Sequence, residues 1–258
     1  MLDVTAGPGT GAFIHKKADL GFAQAAKRDS RKLRIGMTHN LKDAPQTDTV
    51  CIASVEAAAE TCTALGHEVF ETTPVVGYPE ICQLCFDLYT PCIVPYIDAL
   101  ARQTGRTPGP DTLEAPAWTT YQLGMNTKAT ELLEHLSHLS RITAAVEEFM
   151  HPMDVWLMPA VSSTACRSGQ FDPRNYQIGD TSFWHKEMAL YSFLPLPSLT
   201  GQPALVLPIQ GSEDALPSGV QLVGRQHDEP LLFELAGQLE REIEWHHRRP
   251  PLHVSNQP

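Results

Sequence analysis

Positive charge is scarce in this sequence. Its 258 residues carry 19 Lys and Arg against 30 Asp and Glu, a formal net charge of −11. Nucleic acid and anionic membrane surfaces both need a basic footprint to replace counterions, so neither is an expected partner. The one basic knot, His246-His247-Arg248-Arg249, reads as a helix terminus that favours cations. Long apolar runs are also scarce, and no segment reads as long enough to span a membrane. The opening Met1-Leu2-Asp3-Val4-Thr5-Ala6 has neither the cationic nor the apolar region of a signal peptide, so a cytoplasmic setting is expected.

Metal-site spacing is missing too. Of six cysteines, only Cys82 and Cys85 form a Cys-x-x-Cys pair, with no second pair and no histidine ligands nearby in sequence. Without an export signal, the cysteines read as free, buried thiols, mostly on helices. Glu131, Glu134, His135 and His138 occupy neighbouring turns of one segment, but without a Glu-x-x-His pair they read as a solvated polar face. The Gly-rich opening through Ala12 lacks the Gly-Lys-Ser/Thr ending of a phosphate loop, which leaves a surface loop. No Gly-x-Ser-x-Gly elbow is present for a Ser-His-Asp enzyme, so Ser198 and Ser218 read as turn hydroxyls.

What is present reads as α/β. Leu33–Met37, Glu68–Glu71, Val155–Met158, Ala204–Leu207 and Val220–Val223 are the expected strands of one mixed β-sheet covered by helices on both faces. The last two runs are apolar on both alternating faces apart from Gln221, the pattern of strands buried on two sides. Between the first two strands, Val50, Ala53, Ala57, Ala58 and Leu65 share one helical face behind a cap at Asp48, and Gly66 stops the helix. Strand, helix, strand makes a parallel crossover. The segment from Pro79 to Thr104 reads as a helix interrupted and kinked at Pro91 and Pro95, and residues 118–150 as one long helix or a broken pair. Asp228 opens a capped amphipathic helix. Residues 1–258 are expected to be a single α/β domain, with a linker-like segment over 1–32 and a frayed tail over 248–258.

One ordered set of fragments is more specific than its parts. Thr200-Gly201-Gln202-Pro203-Ala204, an apolar strand ending in Pro208, Leu216-Pro217-Ser218-Gly219-Val220-Gln221-Leu222-Val223-Gly224, and Asp228 opening a helix together resemble the carboxyl half of the amidase signature family. Ser198 departs from a frequent Asn and Ser218 from a frequent aliphatic residue. The resemblance implies hydrolysis of carboxamide C–N bonds, a small-molecule amide substrate, and no metal or organic cofactor. It also implies a substrate pocket at Pro159, Ala160, Val161, Ser162, Trp184, Thr200, Gly201, Gln202 and Pro203, closed by the aromatic stretch from Phe171 to Leu194.

The family's catalytic parts are not legible. Its members use a neutral Lys amine that draws a proton through a bridging Ser from a nucleophilic Ser, beside Gly-rich backbone N–H groups that face the oxyanion. Lys42-Asp43 lacks the expected lead-in, and Ser162-Ser163 is flanked by Ala160, Val161, Thr164 and Ala165 where glycines are required. No catalytic residue is therefore assigned. The expectation is a substrate-pocket half that self-associates or pairs with a catalytic-half partner. The alternative is a non-catalytic small-molecule-binding or interaction protein derived from an amidase.

Overall fold

The computed structural model describes residues 21–210 and 216–248. In chain order these form α1 (Phe22–Ala25), β1 (Arg34–Met37), α2 (Thr49–Ala64), β2 (Glu68–Glu71), α3 (Tyr78–Thr104), α4 (Ala115–Asn126), α5 (Ala129–Met150) and β3 (Val155–Pro159). They continue with α6 (Ser182–Leu190), α7 (Pro195–Thr200), β4 (Ala204–Gln210), β5 (Ser218–Gly224) and α8 (Glu229–Ile243). The five strands make one sheet in the order β2-β1-β3-β5-β4. β1 runs parallel to β2 and β3, whereas β5 is antiparallel to both β3 and β4, so the sheet is mixed as the sequence suggests.

Alternation along the strands divides the interior in two. Ile35, Val155, Leu157, Leu207, Val220 and Leu222 point to one face, which α2 and α8 cover with Val55, Cys62, Leu232, Leu235 and Leu239. Trp156, Met158 and Val223 point to the other, which α3, α5 and α7 cover with Ile81, Leu84, Ile142, Val146, Met150 and Leu196. Both faces of the central strands are therefore closed by helices.

β4 departs from the two-sided burial expected of it. Leu207 and Ile209 are buried, but Ala204, Val206 and Pro208 are exposed, Val206 at 53%. The run is apolar on both faces, yet it ends the sheet among the described residues, and the outer helix layer does not reach it.

α3 is one continuous helix of 27 residues through both prolines. Each proline removes a single backbone hydrogen bond, and packing against α4 and α5 outweighs that loss. Continuity also corrects the membrane reading, because α3 is long and apolar enough to cross a membrane by length and composition. Its carboxylates are engaged laterally: Glu80 by His138 (2.8 Å), Asp87 by His135 (3.7 Å) and Asp98 by the Tyr121 hydroxyl (2.8 Å). The two α5 histidines thus face a neighbouring helix and are not part of a freely solvated face. The second long segment is the broken pair, α4 and α5.

The part of the linker-like segment that is described is docked. Phe22 stacks on Phe233 of α8 at 5.0 Å, and Arg241 pairs with Asp29 at 2.6 Å. Gly237 allows the contact, since a Cβ there would collide with the Ala26 carbonyl. Arg31 forms a two-pronged pair with Asp154 at 2.7 and 3.2 Å. Burial alone would raise the Asp154 carboxyl, but hydrogen bonds from Arg31 and the Arg34 amide overcome it and hold the group below its ordinary value. Arg248 donates to the Ile209 carbonyl at 2.8 Å. Residues 1–20 and 249–258, with the expected opening loop and most of the tail, lie outside the described residues.

Neither helix-opening aspartate caps with its side chain. All six cysteines are free; Cys51, Cys62 and Cys82 are buried, but Cys92 and Cys166 are exposed, and Cys166 sits on a loop.

His67 makes the fold pH-sensitive. Buried at 5% exposure, it accepts the Leu33 amide proton on Nδ1 at 3.2 Å, which requires that nitrogen to be unprotonated. Burial lowers its pKa below the ordinary 6.5, against an opposing interaction with the Gln238 side chain. The unfolded chain therefore takes up this proton first as pH falls. Its contribution to stability is complete above about pH 6.5 and declines below it. Thermal melts from pH 8 to 5 should show Tm falling on the acid side, with a shallower fall in His67→Asn; an equal slope in both would remove His67 from the account.

Candidate functional site

The loop leaving β3 is the natural place for a site, because ligands of open α/β sheets bind beyond the carboxyl ends of the parallel strands. Pro159 closes β3, Ala160 donates to the Gly219 carbonyl at 3.1 Å, and the Ser162 amide donates to Leu190 at the end of α6 at 2.8 Å. Thr164 donates to Asp48 Oδ2 at 3.2 Å, and the Asp48 amide donates to the Ser162 carbonyl at 2.8 Å. Asp48 thus fastens this loop and leaves the α2 amides without its side chain.

Ser162 is 2% exposed, and its hydroxyl shares a short hydrogen bond with the hydroxyl of Ser192, which is 1% exposed. The Ser192 amide also donates to Ser162 Oγ at 3.3 Å. These bonds bear on chemistry. A nucleophile needs a base at its oxygen and free N–H groups nearby. Here Ser162 meets a second serine, but among the described residues no lysine is bonded to that pair, and the amides of Ala160, Ser162 and Thr164 are spent on internal acceptors. Lys42 is exposed, whereas a lysine serving as base must be desolvated.

The pocket residues inferred from sequence fall into separate groups. Pro159, Ala160, Val161 and Ser162 stand at the carboxyl end of β3. Thr200, Gly201, Gln202 and Pro203 form the turn between α7 and β4, near the opposite end of the strand pair. Pro159 is level with Val220 and Leu207, while Ala204 is level with Val223 and Trp156. Three residue steps separate these levels, about 10 Å. The turn is internally satisfied: Thr200 Oγ1 lies within hydrogen-bond reach of the Leu196 carbonyl at 2.7 Å and of Gln202 Oε1, which share its one proton, and Gly201 takes φ 79 to end α7. Ser198 bonds the Leu194 carbonyl at 2.9 Å, the local role expected for it; Ser218, buried on β5, lies beside the Cys51 thiol instead.

Trp184 lies near the start of α6, whose last residue holds Ser162. Its indole stacks on Tyr89 at 4.7 Å and leans on Phe86 at 5.5 Å, both on α3. Next to it, His185 Nδ1 stands 3.9 Å from Cys82 Sγ. Phe183, one residue earlier, packs edge-on against Phe171 and Tyr176. The aromatic stretch is therefore a packed wedge between α3 and the loop after β3. Burial raises the thiols of Cys82 and Cys85, the latter to about 11, and both stay protonated and unreactive at neutral pH.

Sequence reasoning missed an open cleft of about 650 Å³ lined by Glu114, Cys166, Arg167, Ser168, Gly169, Phe171, Asp172, Pro173 and Arg174. Arg174 grips Asp172 at 2.5 to 3.0 Å and lowers its carboxyl to about 2. The Asp172-Pro173-Arg174 turn was the available signal. Among the described residues, no three His, Cys, Asp or Glu side chains converge as a metal site.

An antiparallel hairpin added to a parallel sheet, with helices on both faces, is shared with solved amidases. The Amidase family model matches residues 1–233, and the chain belongs to that family. It is 27% identical over 266 residues to the 6-aminohexanoate-cyclic-dimer hydrolase of Paenarthrobacter ureafaciens, covering 98% of this chain and 52% of that protein. A solved 6-aminohexanoate cyclic dimer hydrolase superposes with a TM-score of 0.83 at 26% identity, over 95% of this chain and 52% of the other. A bacterial aryl acylamidase shares the fold at a TM-score of 0.72 and 15% identity. The chain thus spans about half the length of the relatives it matches.

The serine pair gives a structural test. Ser162→Ala strands the buried Ser192 hydroxyl and amide and should cost about 1–3 kcal/mol in urea unfolding. With Ser192→Ala added, the loss should be less than the sum of the two single variants. Additive losses would mean that the two hydroxyls are not coupled.

Proposed function

We propose that this chain is the substrate-pocket half of an amidase-family hydrolase of carboxamide C–N bonds, and that it does not itself carry the nucleophile. The observation that carries this reading is the 0.83 superposition, which uses nearly all of this chain and only about half of a cyclic-amide hydrolase. The internal satisfaction of Ser162 and its loop supports the second part. On this reading the ligand is a neutral small-molecule amide held by residues 159–162 and the α6 wedge. The setting is the cytoplasm, and no nucleic acid, membrane or cofactor takes part. The competing reading, a binding or interaction protein without chemistry, shares the pocket and differs only in whether a catalytic half ever joins it.

Activity separates the readings. Without an activated nucleophile and oriented oxyanion donors, a pocket leaves an amide nearly as inert as in water. A panel of aryl and alkyl anilides should show no turnover above background with the 258-residue chain. Turnover abolished by Lys42→Ala, Ser162→Ala or Ser163→Ala would restore this chain as an enzyme in its own right.

Association is the second test. The exposed β4 edge with Val206 at 53%, together with exposed Tyr96, Met125 and Leu133, presents apolar surface that favours a partner. Sedimentation should show self-association, or a hydrophobic dye should bind and be displaced by a catalytic-half polypeptide. A monodisperse monomer that binds no dye would argue for a fold complete without a partner.

A further inference from the structure

The open cleft between the loop after β3 and the start of α4 takes no part in the amide-pocket reading. Its volume of about 650 Å³ lies in the range of small-molecule sites. Its walls are held in place. The Gly179 amide donates to Thr119 Oγ1 of α4 at 2.9 Å, Gly169 turns the chain at φ 83, and Asp172 accepts the Arg174 amide proton at 3.0 Å. Four charged side chains line the cleft, and they are unequally engaged. Arg174 closes on Asp172 through contacts of 2.5 to 3.0 Å. Glu114 attracts the same guanidinium without pairing with it, and it opens α4 without capping the helix by its side chain. Arg167 has no side-chain hydrogen bond or ion pair with any described residue. One cation thus serves two carboxylates, a second cation serves none, and Arg167 and Glu114 line one cavity without meeting.

We propose that this cleft binds a short zwitterion of the ω-amino-acid class, with its carboxylate on Arg167 and its ammonium on Glu114. The charge arrangement selects the class. The lining carries no net charge, so neither a simple anion nor a simple cation gains from it as a whole: Glu114 opposes the first and Arg167 the second. A ligand with both charges answers both side chains. The guanidinium offers a fork of N–H donors that matches a carboxylate, and the Glu114 carboxylate accepts from an ammonium. The two side chains stand too far apart to pair with each other, so the ligand's charges must be separated as well, which favours a methylene spacer over an α-amino acid. Phe171 and Pro173 supply apolar surface for that spacer in the same lining. The inference stands independently of the amide-pocket reading, because it uses none of the residues assigned to that pocket.

The test uses the full chain at low salt, where exposed charges are least screened, with 5-aminopentanoate as probe and pentanoate, pentylamine and glycine as comparisons. Titration calorimetry reads affinity. Cys166, exposed in the same lining, reads location: its alkylation by uncharged iodoacetamide, followed by mass spectrometry of the peptide that bears it, should slow when the cleft is filled. The 5-aminopentanoate should bind and protect Cys166, and each comparison should bind about fivefold more weakly. Arg167→Gln should bring 5-aminopentanoate down to the level of pentylamine, and Glu114→Gln to the level of pentanoate. Both positions are exposed, so the variants should fold as the wild type does. Equal binding of 5-aminopentanoate and pentanoate, binding without protection of Cys166, binding unchanged in both variants, or no binding of any probe overturns the site, and none of these results touches the amide-pocket reading. Should a variant fail to fold, the wild-type probe series and the protection of Cys166 decide alone.

Discussion

All five residues of β3 are buried, and the rest of the molecule is arranged to keep them so. Val155 and Leu157 require one helical layer, and Trp156 and Met158 require another, because successive side chains leave a strand on opposite faces. β1 closes one side of β3 in parallel and β5 closes the other in antiparallel fashion, so both backbone edges are paired as well. A fully buried strand cannot shift register without moving apolar groups to the wrong layer. It is therefore a rigid base for the loop at its carboxyl end.

That rigidity explains the character of the loop. Asp48, Leu190, Gly219 and Ser192 each take a hydrogen bond from it or give one to it, and they come from three separate parts of the chain. Such bracing suits a wall that holds a ligand. A nucleophile has a different requirement, since its neighbouring amides must face a developing charge, and here they are spent on internal acceptors. The α6 wedge is joined to this wall through Leu190, whose carbonyl takes the Ser162 amide proton.

The strands, the parallel crossover and the family resemblance were legible because short-range patterns encode them. Alternating apolar residues, Gly66 and the proline-bracketed runs act over a few residues and keep their meaning in the folded protein. Asp48 was misjudged because a carboxylate at a helix start has two sets of donors within reach, and the distant Thr164 amide won over the local ones. α3 was misjudged for a similar reason: proline costs are local, whereas the contacts that offset them come from α4 and α5.

What the sequence determined by itself was the layered α/β class, the strand positions and the membership in the amidase family, all carried by periodicity and an ordered set of turns. Tertiary structure alone decided that β4 ends the described sheet with Val206 exposed, since two similarly apolar runs can differ in what lies beside them. It alone decided that Thr200–Pro203 sits about 10 Å in strand register from the level of Pro159, because an antiparallel return reverses the order in which residues meet. It also decided that Ser162 is bonded to Ser192 and that Trp184 stacks on Tyr89. Hydrogen bonds between residues far apart in the chain depend on three-dimensional placement, which no local pattern specifies.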